Sequence, residues 1–162
     1  MWNTFAATLD QLHAQYEKIR AVQKRKRGIL VALDMEGLEK LAAEEEFLAR
    51  AVETLERTRL AQLVRIAQTT PGVTAETNME ELALLAPTEE AHCAVRDASL
   101  RLSGIVKETK ELSEANALLM EGLLRAVNQQ LGRIGGTVVD PVYGSGGGEQ
   151  VRHLKKNLDY KA

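Results

Sequence analysis

The residues best suited to chemistry are few and scattered. His13, His92 and His153 lie far apart in the chain, and none belongs to an H-E-x-x-H or C-x-x-C pattern, the spacings that bring metal ligands together. No metal centre is expected. His92 and Cys93 are adjacent, but neighbours on a helix point about 100 degrees apart, which separates a thiol from the base that would activate it. "GSGGGE", 144–149, has the glycines of a phosphate loop but no following Lys-Ser or Lys-Thr, no convincing strand before it and no long helix after it to hold the anion. A linker is the expected reading. "KRKR", 24–27, offers four cations for nucleic acid, yet on a helix they spread around most of the circumference. The acids of Glu44, Glu45 and Glu46 are dispersed in the same way, so no general acid or base stands out. Neither an enzyme nor a cofactor is expected.

The elements that would position these residues are helices. The chain has 162 residues, a net charge of -2 and only 4% aromatic residues, a composition that suits long helices and carries no field to steer it toward nucleic acid. Its most apolar short run, "ILVAL" at 29–33, is far too short to span a bilayer, and "MWNTFAATLDQ" lacks the basic and apolar regions of a signal peptide. A cytoplasmic location without membrane insertion is expected. The single cysteine, Cys93, permits no internal disulfide.

Trp2, Phe5, Leu9, Leu12, Tyr16, Ile19 and Val22 recur at steps of three and four and draw one stripe down a first helix. It runs to about Arg27, continues through Ile29 and Leu30 past the weak point of Gly28, and turns near Asp34, whose carboxylate caps a second helix. The second seam holds Leu38, Leu41, Leu48, Val52, Leu55 and Ile66 but also passes through Glu45 and Arg59. Long charged stems lying along the core would account for these two, as would a device that fixes register or contacts a partner.

"QTTPGVTAETN", 68–78, reads as a loop and "MEELALL", 79–85, as a short helix at most, since Pro87 disfavours helix at Ala86. Thr88 followed by Glu89 and Glu90 is a helix start. From there to about Gly132 the pattern is the most regular in the chain: Val95, Ala98, Leu102, Ile105, Thr109, Leu112, Asn116, Leu119, Leu123 and Ala126. Such a helix would be roughly 65 Å long. After the glycines, Val151, Leu154 and Leu158 form a fourth, short stripe with Lys155 and Lys156 on its other side, marginal as an isolated helix. The expected fold is all-α: an elongated antiparallel bundle or coiled coil of three long helices plus a short one over 1–136, then a Gly-rich linker and amphipathic C-terminal binding segment over 137–162.

The order of these elements resembles the FlgN family of flagellar type III export chaperones. The likeness rests on the amino-terminal helix, "ILVALDMEGLEKLAAEEEFLARAVETLERTRL" with its Leu55-Glu56-x-x-Arg59 ending, the broken middle, "SEANALLMEGLLRAVNQQLG", and Tyr143 followed by glycines. The resemblance implies a cytoplasmic chaperone that binds the C-terminal helical segments of hook-filament junction proteins of the FlgK and FlgL type and delivers them to the export gate. Cargo binding then falls to Val151, Leu154 and Leu158, and also to Leu119, Leu123 and Val127; docking on the gate protein falls to Tyr143. The tail departs from the family in being unusually rich in glycine. A structural coiled-coil adaptor or homo-oligomer is the alternative from another class, with nucleic-acid binding through 24–27 a third. The terminal stripe would serve a partner helix or fold back on the protein's own seam.

Overall fold

The computed structural model describes residues 1–74 and 77–134. They form four helices, α1 (Trp2–Ala32), α2 (Met35–Thr69), α3 (Met79–Leu84) and α4 (Glu89–Ile134), with no strand among the described residues. The glycine-rich stretch and the terminal stripe lie outside the described residues.

Local chemistry sets each boundary. Leu33 ends α1 in the left-handed region at φ 53°. Its N–H donates to the carbonyl of Leu30 and that of Asp34 to the carbonyl of Ile29, the paired closure that glycine usually supplies. Asp34 then starts α2, its Oδ1 accepting from the Gly37 N–H at 2.9 Å. A Cβ on Gly37 would run into Asp34 Oδ2, so the cap and the glycine belong together. α2 runs two residues further than the loop-forming residues suggest, through Gln68 and Thr69, and the chain turns at Gly72 with φ 87°. Asn78 caps α3 through Glu81 N–H, and Thr88 caps α4 through Ala91 N–H.

Two compact units emerge, Met1–Asn116 and a second beginning at Ala117. In the first, contacts of Gln23 and Lys26 with Glu45 and of Arg25 with Glu44 run α2 back along α1. Asp10 with Arg101, Arg20 with Glu108 and Gln23 with Asn116 run α4 in the same direction as α1. The main core joins Trp2, Phe5 and Leu9 of α1, Leu63 and Ile66 of α2, Leu82 and Ala83 of α3, and Ala91, Val95 and Ala98 of α4. A second cluster joins Val22 to Leu41 and Leu48, with Ile19 and Ile29 beside it. The three-and-four stripes of the sequence are the buried faces: Phe5 and Leu12 are fully buried on α1, as are Val95 and Ala98 on α4. Burial of the larger of these side chains contributes about 1.5–3 kcal/mol each, an upper estimate that ignores residual compaction of the unfolded chain.

The charged seam positions of α2 have partners within the chain. Glu45 accepts from Gln23 Nε2 at 2.7 Å and pairs with Lys26 Nζ at 2.8 Å, while Arg59 donates to Glu56 at 2.8 Å. Gln23 in turn receives Asn116: its Nδ2 donates to the Gln23 backbone carbonyl at 2.8 Å and to Gln23 Oε1 at 3.0 Å. One polar layer therefore crosses three helices, and both amides at its centre are buried. Asn116 Oδ1 is buried there with no donor.

Candidate functional site

The candidate chemical residues do not converge. His13 sits half-buried on α1. His92 Nδ1 lies 2.9 Å from the Ala83 carbonyl, to which the ring N–H donates, tying α3 to the start of α4. Cys93 Sγ instead faces Glu89 Oε1 at 3.6 Å. Partial desolvation and that hydrogen bond push the thiol above its ordinary pKa, the opposite of what an activated nucleophile requires. Among the described residues no three His, Cys, Asp or Glu side chains are placed to hold a metal ion, and no helix is long and apolar enough to cross a membrane. Of the basic run, Arg25 and Lys26 are held by Glu44 and Glu45; they knit α1 to α2.

A surface that could serve recognition lies on α4 and is largely apolar. In the first unit the α4 stripe is largely closed, with Val95, Ala98, Ile105, Thr109 and Asn116 buried and Leu102 and Leu112 half-buried between them. In the second unit the same stripe continues through Leu119, Leu123 and Ala126, and none of the three is buried. Leu119 and Leu123 are half-buried, and Val127 is 46% exposed. Counting about 100 degrees per residue, these four share one face with Met120, Leu124 and Leu131, an apolar arc roughly 160 degrees wide. Glu121 and Arg125 pair at 3.4 Å on the opposite side, and the exposed Gln130 is the one polar residue that falls within the arc over 119–131.

Leu119, Leu123 and Val127 are thus brought together on one face of α4. Val151, Leu154, Leu158 and Tyr143 lie outside the described residues. Met120, Leu124 and Leu131 were missed, although the sequence held a signal for them: the arc is too wide for a seam that follows single steps of three and four. The polar layer was missed on α1 for the opposite reason. Strict alternation from Ile19 leads to Gln23, Lys26 and Leu30, and reading Val22 as the last member hid two polar seam residues.

Comparison with known proteins gives one match. The model of a family described as FlgN protein covers residues 1–150. No curated protein and no solved structure matches the chain.

Proposed function

The chain belongs to the FlgN family, which implies a broad role in flagellar export, and on that premise we propose that it is a non-catalytic cytoplasmic chaperone for hook-filament junction proteins of the FlgK and FlgL type. It covers their C-terminal helical segments, prevents premature assembly and presents them to the export gate. The body is read as a bundle of three long helices that carries a glycine-rich linker and an amphipathic terminal segment. The observation that carries this reading is the change along α4 from a stripe that is mostly buried up to Asn116 to a largely apolar arc over 119–131 in which no position is fully buried. Such a face takes an amphipathic helix, with anchors spaced at three and four.

In this reading Leu119, Leu123 and Val127, together with Val151, Leu154 and Leu158, grip the cargo helix, and Tyr143 contacts the gate protein. No cofactor, metal or nucleic acid takes part. The test is capture of a junction-protein C-terminal segment by the full chain. Leu154→Asp combined with Leu158→Asp should abolish capture while leaving helicity and the melting of the bundle unchanged; undiminished capture overturns the assignment.

A second reading uses the same arc for self-association, as in a coiled-coil adaptor. It predicts concentration-dependent sedimentation of the isolated chain, and a monomer at all concentrations removes it.

A further inference from the structure

We infer that the polar layer of Gln23, Lys26, Glu45 and Asn116 sets the register in which α2 and α4 lie along α1, and that it does so at a cost in stability. Thr8, Gln23, Thr109 and Asn116 are the buried polar residues among the described ones. The two threonines bond within their own helix, Thr8 Oγ1 donating to the Thr4 carbonyl at 3.0 Å and Thr109 Oγ1 to that of Ile105 at 2.7 Å. Such bonds are the same whatever lies opposite. The two amides instead bond across helices, Asn116 Nδ2 to the carbonyl and Oε1 of Gln23, and Gln23 Nε2 to Glu45. Of the buried polar groups, these are the ones that distinguish one neighbour from another.

The apolar seams discriminate poorly by comparison. A slip of seven residues, about 10 Å along a helix, lays one heptad over the next and keeps an apolar stripe on its partner. On α4 such a slip sets Asn116 against Leu30 and Thr109 against Gln23; on α2 it puts Leu38 or Val52 where Glu45 stands. Leu30 is buried, and its side chain offers the amide no acceptor. Gln23 Nε2 and Lys26 Nζ would lose the carboxylate that now takes both. Polar groups buried without partners disfavour the slipped states. Arg25 with Glu44, Asp10 with Arg101 and Arg20 with Glu108 also join the helices, but they are exposed, where solvent leaves an ion pair little power to discriminate.

Removing one member and removing the whole layer therefore have opposite effects. A single truncation orphans what remains, whereas replacing every member with apolar groups of similar size leaves nothing unsatisfied and is often neutral or stabilising. What the apolar layer loses is its preference for one neighbour, as when the lone polar residue of a coiled-coil seam is replaced.

The full chain carrying Gln23→Met, Lys26→Met, Glu45→Met and Asn116→Leu tests this. Nitroxides on Asn3→Cys in α1 and Lys110→Cys in α4, both exposed positions, report the register by pulsed electron paramagnetic resonance in a Cys93→Ser background. Labelled protein is diluted into unlabelled, so that only distances within one molecule are read. The natural layer should give a single distance. The apolar layer should unfold at an equal or higher urea concentration and add a second distance displaced by up to about 10 Å. Gln23→Asn with Asn116→Gln keeps an amide pair and should keep the single distance. The native distance alone in the apolar variant overturns the proposal, as does a lower urea midpoint or lost helicity, either of which would make the layer a stabilising contact. A second distance in the amide-swapped protein overturns it too, since any disturbance of the layer would then suffice.

Discussion

The side-chain amide of Asn116 donates to both oxygens that Gln23 offers, the backbone carbonyl at 2.8 Å and Oε1 at 3.0 Å. Gln23 passes the interaction on to Glu45, which Lys26 neutralises. Asn116→Ala strips two buried acceptors of this donor, and the expected loss of stability is about 1–3 kcal/mol. Gln23→Ala should cost a similar amount, and the double variant less than their sum, because the two residues share one network. Urea unfolding of the four proteins measures the coupling; strict additivity would contradict the geometry.

Glycine substitutions should split by sign. Gly28 and Gly104 lie within helices, and a Cβ at either meets nothing within 4 Å. Each change to alanine should raise stability by roughly 0.5–1 kcal/mol. Gly37→Ala gains the same propensity but displaces the Asp34 carboxylate from its cap, a loss of about 1 kcal/mol. Its melting temperature should therefore fall at or below that of the unaltered chain, and a rise matching Gly28→Ala would disprove the steric account.

Leu33 holds a left-handed conformation with its side chain 60% exposed. The strain of about 1–2 kcal/mol has no compensating burial. Leu33→Gly should stabilise the protein by about 0.5–1 kcal/mol after the added freedom of the unfolded chain is counted, and Leu33→Val should destabilise it. Thermal melts of the two variants check both directions.

Burial, with Glu56 nearby, raises the pKa of Tyr16 above the ordinary tyrosine value. The folded state therefore holds the phenolic proton more tightly than the unfolded state, so this stability is complete below about pH 10 and lost as pH rises through the higher folded-state value. The difference in stability between the protein and Tyr16→Phe should be constant from neutral pH to about 9 and should then move in favour of the variant. A flat difference through the alkaline range would show that the phenol ionises as freely in the fold as outside it.

How much of this was legible depended on whether a residue kept to its pattern. Phe5, Leu9 and Val95 repeat at helical spacing and are core; Asp34 and Thr88 are capping residues and cap. The long helices, the corner and the short α3 all followed from such local rules. Gln23 and Asn116 were opaque because each is polar, and polarity alone does not say whether a side chain faces water or another amide 93 residues away in sequence. Glu45 gave a partial signal: a charge on a seam announces an unusual neighbour without naming it. The candidate site was readable at Leu119, Leu123 and Val127, while its breadth, through Met120, Leu124 and Leu131, emerges only when positions are placed around the helix.

Helix α3 has a consequence for how unfolding of this molecule is watched. It is only six residues, secured by the His92 ring on the Ala83 carbonyl, and it contributes Leu82 and Ala83 to the core cluster that also holds Trp2. Detachment of so short a helix would scarcely change the far-ultraviolet ellipticity of a chain dominated by three long ones. Trp2, the sole tryptophan, shares that cluster, so its fluorescence should respond to an opening of the core that the dichroism signal does not register.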